Sequence, residues 1–221
     1  MVRKIAYVMF AVVLVFGLDL AVQGQAKVTI DHNLSGTGEF KFKNVPPPAK
    51  DDAGTKAKLT LVVGELDRNS ADFSALTDGK LPTTADQPAA NLFFNVGGSG
   101  GRFQMDLGSV IEVVQINTYS WHPGARGPQV YLVYASDGAD PKFKAQPNGN
   151  TDPTTAGWKL LAIVDTRPKQ GQGGGQYGVS ISNATGALGK YRYLLFDTVA
   201  TEIEDDWGNT FYSEVDVVSP A

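Results

Sequence analysis

Apolar and polar residues alternate along most of the chain, and the repeat is two. Phe103, Met105 and Leu107 fall on one side of a segment whose intervening positions are Gln104 and Asp106, the mark of a strand with one face on a core and the other in water. Val114, Ile116 and Thr118 alternate in the same way against Asn117 and Tyr119. Residues 129–136, 158–165, 191–198 and 214–218 are β-branched or aromatic runs of strand length, and 58–63 and 91–96 read similarly. Asp78-Gly79, Gly97-Gly98, Pro123-Gly124, Asp137-Gly138, Asn148-Gly149 and the glycine-rich run 171–175 supply turn chemistry between them. One helical turn is predicted, around residues 72–76. About ten strands joined by such turns predict an all-β fold, an antiparallel sandwich of jelly-roll type in a single domain. Pro46-Pro47-Pro48 is the best linker candidate, but too little chain precedes it to form a core of its own. Residues 27–70 are therefore read as lead-in strands or an arm packed on the same domain.

Composition narrows the function classes. The 221 residues are 42 % hydrophobic and 19 % charged, with no cysteine and a formal net charge of -4. Such a chain is expected to fold. The absence of cysteine excludes disulfides, thiolate metal sites and thiol nucleophiles. A negative charge without a Lys/Arg block argues against nucleic acid as a partner.

The N-terminus carries Arg3 and Lys4, then an apolar run from Ile5 to Leu18, then small and polar residues ending in Gly24, Gln25 and Ala26. A basic stretch, an apolar stretch and small residues before the cut predict a secretory signal peptide over residues 1–26, with cleavage after Ala26. A membrane anchor is the alternative, and the run is shorter than the roughly 20 residues a bilayer requires. The mature chain 27–221 is expected to be secreted, periplasmic or held at a cell surface, without membrane insertion.

From residue 101 onward the order of features resembles the galactose-binding-like jelly roll of discoidin and coagulation-factor type C domains, and Tyr119-Ser-Trp-His-Pro-Gly-Ala-Arg-Gly-Pro-Gln-Val-Tyr131 resembles a segment of an uncharacterised secreted bacterial subgroup with this fold. The resemblance is carried by Arg102-Phe-Gln-Met-Asp-Leu-Gly108, residues 113–119, Gln129-Val-Tyr-Leu-Val-Tyr-Ala-Ser-Asp-Gly138, Trp158-Lys-Leu-Leu161, Gly189-Lys-Tyr-Arg-Tyr-Leu-Leu-Phe196 and Phe211-Tyr-Ser-Glu-Val-Asp-Val217. Ala75-Leu-Thr-Asp-Gly79 resembles the loop in which that family places an Asp-Gly pair, although the Trp that often follows is missing. The stretch 142–157 is a long insert. The resemblance implies a structural calcium ion tying this loop to the last strand. Asp78 and Glu214 would then give carboxylates, and Leu76, Lys80 and Thr83 carbonyl or hydroxyl oxygens, the hard donors calcium takes. The other reading is that Asp78 makes a turn and Glu214 faces solvent on an edge strand.

Trp121, His122 and Arg126 stand together in a loop stiffened by Pro123 and Pro128. A Trp face stacks on the apolar side of a sugar ring, and His and Arg donate to hydroxyls. Equally, Trp121 packs the loop and Arg126 bonds carbonyls of its own turn. Glu202, Glu204, Asp205, Asp206, Trp207 and Asn209 form an acidic, aromatic loop before the last strand, of which Trp207 and Asn209 are candidate ligand contacts. Solvated charge is the other reading of its acids.

Only His32 and His122 are present, no zinc-spaced His pair or phosphate-binding loop occurs, and Gly97-Gly98-Ser99-Gly100-Gly101 reads as a turn without the strand-to-helix context of a nucleophile elbow. The expectation is a non-catalytic module that binds carbohydrate on an extracellular polysaccharide or cell surface. The alternative is a protein-interaction or envelope-structure module that uses the same loops on an exported protein.

Overall fold

Strand pairing is antiparallel throughout, which the alternating pattern and short glycine turns favour. A computed structural model describes residues 26–170, 173–184, 186–201 and 209–220. Most of the expected signal peptide, Trp207 and the acids at 202–206 lie outside these residues. Among the described residues there are nine strands: β1 (Lys27–Asn33), β2 (Lys58–Val63), β3 (Gly100–Val113), β4 (Gln115–His122), β5 (Val130–Ser136), β6 (Lys159–Asp165), β7 (Gly175–Ser182), β8 (Gly189–Val199) and β9 (Glu214–Val218). They form a four-stranded sheet of order β1-β7-β4-β9 and a five-stranded sheet of order β2-β3-β8-β5-β6. The two sheets face each other across a core that includes Phe103, Met105, Ile116, Tyr131, Val133, Val179, Phe196 and Val215. The architecture is the antiparallel β-sandwich the pattern predicts. The helical turn forms as a 3-10 turn at Phe73–Leu76, capped by the Asp72 side chain, which accepts from the Ser74 N–H.

Residues 91–96 do not form the expected strand. Leu92 and Phe94 make only isolated bridges, to Tyr212 and Leu66. Leu92, Phe93 and Phe94 are all fully buried, so this aromatic run plugs the end of the sandwich and has no solvent face to alternate with. The glycine-rich run leads directly into β7, a strand not expected from the sequence.

Each sheet carries a second covering layer. Residues 34–57 cross the outer face of the four-stranded sheet as a strap. Phe40 packs edge-on against Trp121, and Phe42 stacks on Tyr119. Gly178 of β7 admits the Phe42 ring, which a Cβ would meet at 2.7 Å. Further along, Ala49 N–H donates to Asp216 at 3.1 Å and Ala53 N–H to the Val217 carbonyl at 2.9 Å. On the five-stranded sheet, the connection between β5 and β6 folds back over the outer face. There Phe143 packs between Trp158 and Tyr193, and Arg102 donates to the carbonyls of Pro147, Asn148 and Thr151.

Register sets the two poles of the sandwich. His122 pairs with Gly175, and Gln115 with both Ser182 and Val218. The turn after His122, the connection 64–99, residues 166–170 and 173–174, and residues 209–213 before β9 therefore gather at one pole. The chain enters at Lys27, opposite Ser182, at the other. Among the described residues no helix is long and apolar enough to cross a membrane.

Candidate functional site

Phe211 organises the loop pole. Its ring lies 4.7 Å from Phe93, takes the His122 ring edge-on at 5.0 Å, and carries the Arg126 guanidinium 5.5 Å from its centroid. A guanidinium over an aromatic face is held by the ring quadrupole. The Phe211 N–H donates to the Arg126 carbonyl at 3.0 Å, and the Gly127 N–H closes the turn on the Gly124 carbonyl at 3.0 Å. His122 Nδ1 accepts from the Gly124 N–H at 2.9 Å. Arg126 is thus aimed into a depression of about 380 Å³ shared with Asn69, Asp86, Pro88 and Phe93. A donor fork, a carboxylate, an amide and an apolar edge in one shallow hollow are the groups a polyhydroxylated ring requires.

The residues grouped by sequence divide between two places. Trp121 and His122 are neighbours in a strand, so their side chains leave opposite faces. His122 joins Phe211. Trp121, only 7 % exposed, packs under the strap with Phe40, Val45 and Tyr119, and its ring is not an open stacking platform. Its accessible part lines a second depression of about 520 Å³, with Leu34, Ser35, Ala85 and Pro123. Asn209 is 3 % exposed; its Nδ2 donates to the Asn95 carbonyl and its N–H to the Phe94 carbonyl. It therefore ties the last loop to the aromatic plug. Trp207 lies outside the described residues. Phe93, Phe211, Asn69 and Asp86 were missed; the only local signal among them is the aromatic content of 92–94 and 211–212.

A group of carboxylates lies at the start of β9. Glu214 is fully buried and not on a solvent face, and neither of its carboxylate oxygens has a hydrogen bond among the described residues. Burial, then the charges of Asp216, Asp78 and Asp52, push its carboxyl up to about 9, against a small opposing contribution from the Gly79 N–H. The Asp-Gly loop and the last strand therefore share one neighbourhood. Asp216 is buried too, and burial raises its carboxyl to about 6. One of its oxygens accepts from Tyr119 Oη and the Ala49 N–H, both at 3.1 Å.

Orphaned carboxylate oxygens beside an acidic loop are a donor set that fits a hard cation. Among the described residues no three His, Asp or Glu side chains converge for a metal, so backbone oxygens would have to complete any such site. Asp78 accepts from the Lys80 N–H at 2.8 Å and lies 3.4 Å from Lys80 Nζ. Leu76 is buried beside the core, and the Thr83 hydroxyl donates to Gln87.

No family model and no curated protein matches the chain. Among solved structures, a SusE-like protein is similar with a TM-score of 0.50 at 12 % identity, over 74 % of this chain and 97 % of that one. The lectin domain of lectinolysin complexed with Lewis B antigen follows at 0.47 and 13 % identity, over 77 % of this chain and 98 % of that one. A CBM32 domain from a family 31 glycoside hydrolase of Clostridium perfringens gives 0.46 at 12 % identity, over 77 % and 99 %. At these identities the likeness is one of fold, an antiparallel β-sandwich.

Proposed function

We propose that this protein is an exported, non-catalytic module that binds carbohydrate through the depression at the loop pole. The observation that carries the reading is the convergence of Arg126, held over Phe211, with Asp86 and Asn69 beside the apolar edges of Pro88 and Phe93. In this reading a sugar ring sets its C–H face against Pro88, above the buried ring of Phe93. Arg126 donates to adjacent hydroxyls, Asp86 accepts from them, and Asn69 does either. The fold is compatible with this use but does not dictate it. Export rests on the N-terminal basic and apolar pattern.

Calcium is proposed as a brace. Glu214 and Asp78 would supply carboxylates, with carbonyls of the loop at Leu76 and Lys80 and the hydroxyl or carbonyl of Thr83. The support is Glu214, whose buried oxygens meet only a weak contribution from the Gly79 N–H and no full hydrogen bond among the described residues. The ion would fix the Asp-Gly loop to β9 and take no part in ligand chemistry.

The test is a saccharide array probed with the soluble chain 27–221, repeated with Asp86→Ala and Asn69→Ala. Both side chains are exposed, so the fold should be unaffected, and each loss should cost about tenfold or more in affinity. A blank array, or variants that bind as the parent does, would refute the reading. Capture of an exported protein through Asp86 and Arg126, unaffected by sugar, would replace it with a protein-binding role.

A further inference from the structure

The two depressions at the loop pole have the same walls. Residues 85–88 form one side, with Ala85 facing the second depression and Asp86 and Pro88 facing the first. The turn after β4 forms the other, with Pro123 on the second depression and Arg126 on the first. Neighbouring residues of the same two segments thus line both hollows, which sets the hollows side by side at the loop pole.

The far hollow is built and rigid. Its floor is Gly173, Gly174 and Gly175, and close packing explains the glycines. A Cβ on Gly174 would lie 1.9 Å from the Pro123 carbonyl oxygen, and one on Gly175 would lie 2.4 Å from that of Asn33. The Gly174 carbonyl accepts from His32 Nε2 at 3.0 Å, and the Gly173 carbonyl from Tyr177 Oη at 2.7 Å. On the rim stands Leu34, 82 % exposed and the most exposed large apolar side chain among the described residues, next to the hydroxyl of Ser35. An apolar rim with backbone and hydroxyl groups, and no charged side chain in its lining, contrasts with the Arg126–Asp86 hollow.

We infer that the two hollows act as one groove that takes an internal stretch of a glycan chain, one sugar residue on Arg126 and Asp86 and a further one on the glycine floor between Leu34 and Trp121. This rests on the carbohydrate reading of the first hollow. It makes the ligand class an extended polysaccharide rather than a terminal monosaccharide. The charged hollow supplies orientation, and the glycine-floored one supplies area and length discrimination.

The experiment is calorimetric titration of the soluble chain with the mono- and linear tetrasaccharides of galactose, glucose, mannose, N-acetylglucosamine and fucose. The parent should bind one tetrasaccharide about tenfold or more tightly than its monosaccharide. Leu34→Ala and Ala85→Trp should remove that advantage and leave monosaccharide affinity unchanged, whereas Asp86→Ala should weaken both lengths. Equal affinity for the two lengths in the parent, or rim variants that weaken both alike, overturns the groove and leaves the first hollow standing. Failure of every saccharide at either length overturns both.

Discussion

Arg102 donates to Asp197 at 2.7 Å across neighbouring strands β3 and β8, and its other terminal nitrogen reaches three carbonyls of the β5–β6 connection. One nearly buried guanidinium therefore fastens the long insert to the outer face of the five-stranded sheet. Arg102→Met would leave those carbonyls and a partly exposed carboxylate unpaired, at a cost of about 3 kcal/mol. Urea unfolding measures the loss, and limited proteolysis should show early cleavage within residues 137–158. A loss below about 1 kcal/mol would mean that the aromatic contacts of Phe143 hold the insert unaided.

Glu214 makes stability depend on pH in the direction opposite to an ordinary carboxylate. Its folded pKa of about 9 lies above the ordinary glutamate value of 4.5, so without a cation the native chain holds a proton that the unfolded chain releases. Its contribution is full below about pH 4.5 and is lost as pH rises toward 9. In chelator the melting temperature should fall over that window. Millimolar calcium should restore it at neutral and higher pH, with release of protons on binding. Glu214→Gln should abolish the calcium response and flatten the pH dependence in chelator. A calcium response that survives the substitution would place the ion elsewhere.

Glycines at the loop pole differ in what they tolerate. Gly174→Ala forces a methyl group into the Pro123 carbonyl and should cost about 3 kcal/mol. Gly97→Ala meets nothing within 4 Å, although its φ of 76° is left-handed, and should cost only about 1 kcal/mol. Thermal unfolding of the two variants side by side tests the close approach. Equal losses would show that backbone conformation, and not the Pro123 contact, sets the requirement.

Tyr119 donates to Asp216 and lies within bonding reach of the Pro46 carbonyl, so the strap and β9 meet at one hydroxyl. Tyr119→Phe keeps the ring packed on Phe40 and Phe42 and removes that link. It should cost about 1 to 2 kcal/mol, with amide exchange accelerating first in residues 46–54. Uniform acceleration across all strands would mean that the strap does not open independently of the sandwich.

Sequence pattern exposed the fold where one strand face meets polar surroundings. β3 was legible for that reason, and β5, β6, β8 and β9 as β-branched or aromatic runs of strand length. β7 was not, because Gly175-Gln-Tyr-Gly178 is buried on both sides, under the strap and over the core, and its glycines read as a turn. The candidate site was partly legible. Arg126 and His122 stood out, and of the two only Arg126 lines the first hollow, with His122 packed behind it on Phe211; Trp121 leaves the opposite face of β4 from His122 and lines the other hollow. Asn69, Asp86 and Phe211 come from separate loops that only the closed sandwich brings together, so no local pattern marks them. The nearness of Asp78 and Glu214 followed from the family resemblance and from nothing in their spacing.

The strand register has a practical corollary. β1 begins beside Ser182 and β9 ends beside Gln115, which itself pairs with Ser182, roughly 20 Å along the sandwich from the turn that carries Arg126. Both described ends of the chain thus leave from the pole facing away from the groove. A linker, bead or sensor surface attached at either end holds the molecule by its base and points the groove outward, so immobilisation and ligand capture do not compete for the same side.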